Sequence, residues 1–191
     1  MKLKNILLVV NDIERSKRFY HELFGLDVIL DLDGNVILTE GLTLQEACVC
    51  ERLIGKSFTW GDSDAELYFE ENDMDSFLEK LAAYPEEVRF LHSLKEHDWG
   101  QRVARLYDPD GHLIEVGESM EYVARRLYKS GLSLEETAAK PQYPLEYLKE
   151  ICEELKKRAR QGNLPLSDRF FTDGGGKTIW QYQSLVEYDT I

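Results

Sequence analysis

Glu115 is the residue of this chain whose setting most invites chemistry. It stands in the apolar run Leu113-Ile114-Glu115-Val116, just after Asp108-Pro109-Asp110-Gly111-His112. A carboxylate buried among strand residues is costly without a partner. Either ordinary strand alternation turns it to solvent, or it is held inward by a partner. The stretch from Arg105 to Val116 reads as strand, tight turn, strand. Pro109 presets φ at the first central position, and Asp110-Gly111 tolerates the rest of the turn. Of the four histidines, His21 falls on a helix surface and His112 in the turn. His92 and His97 precede Trp99 in a segment read as a loop, at the mouth of any cavity. Gly174-Gly175-Gly176-Lys177-Thr178 invites a phosphate-loop reading, but Phe171 stands where the upstream glycine is required. That run reads as a flexible turn. Cys48, Cys50 and Cys152 form no CxxC pair and leave an odd thiol, which fits a reduced, cytosolic protein.

The elements that must position these groups follow from period and punctuation. Residues 5–10 read as a buried strand. Asp12 is a helix N-cap, and Ile13, Phe19, Tyr20, Leu23 and Phe24 recur at helical spacing before Gly25. Residues 26–32 read as an alternating strand, Asp33-Gly34-Asn35 as a hairpin turn, and 36–39 and 42–48 as two further strands. The order then repeats. Residues 66–71 form a strand, and Asp73 caps a helix with Phe77, Leu78, Leu81 and Ala82 on its apolar face. Pro85 stops it, and strands follow at 88–91, 101–107 and 113–117. Asn11-Asp12-Ile13 aligns with Asn72-Asp73-Met74 at an offset of 61 residues. A βαβββ unit is therefore present twice. The fold class expected is α+β.

Beyond Gly117 the composition changes. Residues 119–130 read as a helix with Met120, Val123, Ala124, Leu127 and Tyr128 on one side. Ser133-Leu134-Glu135-Glu136 is a capping box, and a third helix covers about 145–160, with Leu148, Ile151, Cys152 and Leu155 apolar. Glu146, Glu150, Glu153 and Glu154 make that helix a poor match for a basic DNA-reading face, so a helical hairpin is expected. The formal charge of −13 falls wholly within residues 1–120; after them eleven basic and eleven acidic residues cancel. So acidic a body repels phosphate backbones and anionic lipid, and nucleic acid and membrane are not expected as partners. No apolar run is long enough to span a bilayer, and the N-terminus leads too directly into a strand to be a signal peptide.

Several stretches together carry a family resemblance: Asn11-Asp12-Ile13-Glu14-Arg15-Ser16 with Phe19-Tyr20, Leu23-Phe24-Gly25-Leu26, Trp99-Gly100, and the Asp108–His112 turn with Glu115. In order and spacing this resembles the vicinal oxygen chelate superfamily, which includes glyoxalase I, extradiol dioxygenases, fosfomycin-resistance enzymes and bleomycin-resistance proteins. The resemblance implies paired βαβββ modules (about 1–50 and 64–118) forming a half-open barrel with a ligand cavity. Residues 119–162 would then be a helical extension, and 163–191 a tail without an assigned role.

The resemblance also implies a site. In metal-dependent members the glutamate at the place of Glu115 is a metal ligand, and the other family positions fall at Asn5, Glu66 and Gln45, which a one-residue register shift would exchange for Glu46. Histidine, usual at the first-strand positions, is missing. Two amides and two carboxylates form an oxygen-only set suited to Mg²⁺, Mn²⁺ or Ca²⁺ rather than Zn²⁺ or Fe²⁺. Two carboxylates facing one cavity raise the pKa of one and make it an acid or base, unless Arg102 or Arg105 pairs with them. Trp99, Arg102, Arg105, Tyr68 and Tyr107 are the candidate ligand contacts, with Trp60 a further candidate wall. The function expected is small-molecule binding of the glyoxalase and bleomycin-resistance type, without a tight catalytic metal or other cofactor, in a homodimer. The alternative is a divalent-metal-dependent lyase or dioxygenase with Glu115 as ligand or base. In the metal-free case, Glu115→Gln is expected to be neutral or stabilising through relief of like-charge repulsion.

Overall fold

The computed structural model describes residues 1–57, 59, 60, 64–141 and 144–160, with no side-chain account of Cys152 or of 154–160. The readings of Gly162, of the 174–178 glycine run, of the 163–191 tail and of the Cys152 and Leu155 side chains lie outside the described residues. The described chain divides into two compact units. One comprises Met1–His97 with Gln101–Ser119, and the other comprises Asp98–Gly100 with the residues from Met120 onward.

The first module of the first unit runs β1 (Ile6–Val10), α1 (Ile13–Phe24), β2 (Val28–Leu32), β3 (Asn35–Leu38), β4 (Leu42–Glu46) and α2 (Ala47–Ile54). The Asp12 carboxylate accepts the Arg15 N–H at 2.9 Å and starts α1, a cap worth about 1 kcal/mol. Ser16, Phe19, Tyr20 and Leu23 then form its buried stripe, and Gly25 closes it at φ 67°. Two expectations are corrected here. The strand expected over 42–48 ends at Glu46, and Cys48 and Cys50 lie in α2. On a strand both cysteines would share a face; here Cys50 is buried and Cys48 exposed, as helical rotation requires. Strand β2 does not alternate, for every one of its residues is exposed. It is a sheet edge.

The second module runs β5 (Glu66–Glu70), α3 (Met74–Ala83), β6 (Phe90–Glu96), β7 (Arg102–Tyr107) and β8 (Leu113–Gly117). Asp73 caps α3 by accepting the Ser76 N–H at 3.0 Å. The buried stripe is Met74, Phe77 and Leu81, so Ala82, expected inside, is exposed. Strand β6 begins later and runs further than the 88–91 expected, which places His92 in a strand and not in a loop.

The two modules fold alike into two four-stranded mixed sheets that do not close, ordered β1-β4-β3-β2 and β5-β8-β7-β6. In each, the first and last strands pair in parallel and the rest antiparallel. One core serves both modules: Val10, Phe19, Tyr20, Leu38 and Leu44 belong to the same cluster as Met74, Phe77, Leu106, Ile114 and Val116. Phe24 bridges the repeats, its ring centroid 4.4 Å from that of Phe69.

At the β2–β3 turn Gly34 adopts φ 79°, and a Cβ there would lie 2.7 Å from Val49 Cγ2. Strain in the left-handed region and a collision with the first turns of α2 would add. Gly34→Ala is expected to lower the unfolding free energy by about 1–3 kcal/mol. A chemical-denaturation midpoint equal to the parent's would refute this.

In the second unit, α4 (Met120–Lys129), α5 (Leu134–Ala139) and α6 (Leu145–Arg160) meet around Ala124, Ala138 and Leu148. Ser133 and Glu136 form a reciprocal capping box at the start of α5. Arg126 donates to the Gly100 carbonyl, which binds the 98–100 segment to α4. Among the described residues no helix is long and apolar enough to cross a membrane.

Candidate functional site

The register of the second sheet sets Tyr68 opposite Glu115, Glu115 opposite Arg105, and Arg105 opposite His92. Directly opposed residues share a face, so these four side chains form one row across four strands. Their sequence neighbours Leu67, Phe69, Ala104, Leu106, Ile114 and Val116 face the core. The row therefore lies on the sheet face turned away from the core.

Arg105 is the hub. Its Nε donates to Glu66 Oε2 at 3.1 Å, its guanidinium forms an ion pair with Glu115, and its Nη1 lies 3.4 Å from His92 Nε2. Glu115 is only 9% exposed, so its charge requires this partner. The structure brings Glu66, Glu115 and Arg105 together; Tyr68 shares their sheet face, but its hydroxyl accepts from Gln101 Nε2 at 3.2 Å.

The other expected contacts separate. Arg102 is bound to Glu118: its Nε reaches Oε1 at 2.7 Å and its backbone N–H donates to Oε2 at 3.0 Å. Glu118 is fully buried, and no sequence motif marks it. Tyr107 carries Arg89 above its ring, 4.0 Å from the centroid. Trp99 belongs to the second unit.

Asn5 and Gln45 stand in the first module. Asn5 Nδ2 donates to Thr43 Oγ1 at 2.8 Å, and Gln45 Nε2 to Asn35 Oδ1 at 3.2 Å. The register also identifies the repeat's equivalent positions. Tyr68, opposite Glu115, corresponds to Leu7 by the 61-residue offset. Leu7 is paired with Thr43, while Gln45 is paired with Val9. Thr43 is thus the first-module counterpart of Glu115.

The family implies a divalent ion in such a place, and this donor set does not fit one. Both carboxylates are engaged by a guanidinium that carries the positive charge an ion would bring. Asn5 and Gln45 donate through their amide nitrogens within the first sheet. Among the described residues no group of three or more His, Cys, Asp or Glu is placed to hold a metal.

A cleft of about 480 Å³ runs between β1 and β5, with Leu7, Trp60, Glu66, Leu67, Asp110 and His112 among its walls. Its size suits a small organic molecule. Glu66 belongs both to this cleft and to Arg105.

At the cleft's end the Asp108–His112 turn is organised by one buried carboxylate. Asp108 Oδ1 accepts the N–H groups of Asp110 and His112 at 2.9 and 2.8 Å. Asp108 Oδ2 accepts the Tyr20 hydroxyl at 2.9 Å and meets His112 Nδ1 at 2.7 Å. Burial works to raise the Asp108 carboxyl, but the hydrogen bonds and charge of His112, with the Tyr20 hydroxyl, outweigh it and hold its pKa below 3.8. Burial likewise works to lower His112, and the Asp108 hydrogen bond and charge overcome it, raising its pKa above 6.5. Burial, reinforced by Asp108, pushes the Tyr20 hydroxyl well above 10.0. Asp110 points the other way, into the first module, where it accepts from Asn11 at 2.8 Å, Arg15 at 2.9 Å and Ser16 at 3.3 Å. The sequence marks the turn, but the partnership of Tyr20 with Asp108 had no local signal.

A family model described as a glyoxalase-like domain matches residues 3–121. Among solved structures, a protein of unknown function from Agrobacterium tumefaciens str. C58 is 38% identical with a TM-score of 0.55, over 62% of this chain and 94% of that one. A glyoxalase-related enzyme from Fulvimarina pelagi is 22% identical with a TM-score of 0.54, over 62% and 88%. A glyoxalase/bleomycin resistance protein/dioxygenase family enzyme from Burkholderia phytofirmans PsJN is 17% identical with a TM-score of 0.53, over 62% and 98%. The last two speak to the fold alone. No curated protein matches the sequence.

Proposed function

This chain belongs to the glyoxalase-like domain family of the vicinal oxygen chelate superfamily, and on that premise we propose that it binds a small organic molecule in the cleft between β1 and β5, without a tight catalytic metal. The observation that carries the reading is Arg105 placed between Glu66 and Glu115. A fixed guanidinium supplies the positive charge that a metal-dependent relative draws from its ion. It orients Glu66 at the cleft wall, where that carboxylate is a hydrogen-bond acceptor for a ligand. Leu7 and Trp60 supply the apolar contact.

The test is metal analysis of protein purified without added metal, combined with thermal unfolding. Substoichiometric metal is expected, with no rise in Tm on adding Mg²⁺, Mn²⁺, Ni²⁺ or Zn²⁺. A cleft-binding compound from a small-molecule panel is expected to raise Tm, since a ligand at a hundred times its Kd contributes about 2.7 kcal/mol. Stoichiometric metal that is lost on Glu115→Gln would overturn the reading and favour a metal-dependent lyase or dioxygenase.

We further propose a cytoplasmic homodimer. The exposed apolar side chains of edge strand β2, Val28, Ile29, Leu30 and Leu32, support self-association. The free thiols of Cys48 and Cys50 suit a reducing compartment. A monomer mass by light scattering at micromolar concentration would refute the dimer, and recovery with an extracytoplasmic fraction would refute the location.

A further inference from the structure

We propose that His112 is a proton-accepting group serving the β1–β5 cleft, oriented by Asp108 and Tyr20, for a planar small molecule that carries a weakly acidic proton. The inference rests on the reading of this cleft as a small-molecule site.

Four observations converge. His112 lines the cleft. Its Nδ1 is turned onto Asp108 Oδ2 at 2.7 Å, which leaves Nε2 as the ring nitrogen for a bound molecule. The orienting carboxylate is itself fixed, since Asp108 takes two backbone N–H groups on one oxygen and the buried Tyr20 hydroxyl on the other. Trp60 stands beside the imidazole, with ring centroids 6.5 Å apart, and offers a flat apolar wall. A base held by a third group, within reach of a pocket, is the arrangement proton abstraction needs. A turn needs only the Asp108 backbone contacts; neither a histidine in the cleft wall nor a buried tyrosine behind the carboxylate follows from turn geometry.

The groups around the imidazole favour this role. Burial works against the imidazolium, but the Asp108 hydrogen bond and the charges of Asp108 and Asp110 outweigh it and raise its pKa above 6.5, which strengthens the ring as a base. Asp110 is engaged by Asn11, Arg15 and Ser16. Asp64 and Glu66 are the other acidic residues of the cleft wall, and Glu66 is paired with Arg105.

The probe is 5-nitrobenzisoxazole, a planar molecule that breaks down on loss of one C–H proton. His112 Nε2 takes that proton. The C–H electron pair becomes part of the new carbon–nitrogen triple bond, and the N–O bond breaks to leave a phenolate. No metal, oxidant or second reactant takes part. With chelator-treated full-length protein we expect saturable turnover that rises with pH through an inflexion above 6.5. His112→Gln keeps a donor toward Asp108, and it is expected to lower kcat by about tenfold to a hundredfold with little change in KM. Tyr20→Phe is expected to move the inflexion while most of kcat remains.

Saturable turnover that His112→Gln leaves unchanged would overturn the base while leaving the cleft reading intact. Absence of saturation, with a rate no greater than that of free imidazole at equal concentration, would overturn both. Should His112→Gln not fold by circular dichroism, acylation of the parent with diethyl pyrocarbonate, mapped by mass spectrometry, replaces it. Loss of turnover in step with acylation of His112 then supports the base, and retention of turnover overturns it.

Discussion

Arg105→Met is expected to lower the unfolding free energy by about 3–5 kcal/mol, because it leaves a buried carboxylate without its partner. Methionine keeps the apolar stem of the arginine and removes only the fork. Glu115 then remains in a strand of which every residue is buried, with Glu66 nearby and no cation between them. The effect of Glu115→Gln is different in size and in sign from the neutral or stabilising result that like-charge repulsion predicts. Arg105 already relieves that repulsion, and the substitution removes one of the two carboxylates that hold it. A loss of about 1–2 kcal/mol is expected, with Glu66 retaining the guanidinium. Because the residues touch, Arg105→Met with Glu115→Gln should cost less than the two single changes together. Urea denaturation of the four proteins measures all three quantities. An Arg105→Met protein as stable as the parent would show that solvent, and not the guanidinium, relieves the two carboxylates.

Asp108→Ala is the second change expected to be severe, again about 3–5 kcal/mol, since it strips partners from the buried Tyr20 hydroxyl and from two backbone N–H groups at once. The same carboxylate gives stability a defined pH profile. The folded pKa of His112 is raised above 6.5, so its contribution is complete below pH 6.5 and is lost as pH rises through the raised value. The folded pKa of Asp108 is held below 3.8, so its contribution is present above pH 3.8 and is lost as pH falls through the lowered value. The pair therefore stabilises most between these limits, in the mildly acidic range. Comparing the parent with His112→Gln by denaturation at several pH values isolates the alkaline limb. A parent whose stability relative to His112→Gln does not decline above pH 6.5 would remove the pair from this account.

The repeat was legible because its signals are local. Asp12 and Asp73 announce helices, Phe19, Tyr20 and Leu23 keep one face, and Gly34 fixes a hairpin. What the sequence concealed lies between strands. Arg105 reaches Glu115 because they are opposite in β7 and β8, and Arg102 reaches Glu118 instead; two arginines three residues apart give no hint of which carboxylate each will take. The family position expected at Gln45 shows the same difficulty. The offset of 61 holds at the module starts, but the later loops differ in length, and only backbone pairing identifies Thr43. Helix α2 was concealed by Cys48-Val49-Cys50, which alternate like a strand until Cys50 alone turns inward.

The contacts of the Asp108–His112 turn with α1 join residues 88 to 99 positions apart, and this bears on how the protein forms during synthesis. Helix α1 leaves the ribosome early, yet Asn11, Arg15, Ser16 and Tyr20 must wait for 88 to 99 further residues before they meet Asp108 and Asp110. Until then the nascent first module exposes Phe19 and Tyr20, whose shelter the second module completes. Such long loops close slowly. The finished modules should then open as one cooperative unit, with the deepest amides of α1 and β8 exchanging at the same rate despite belonging to different repeats.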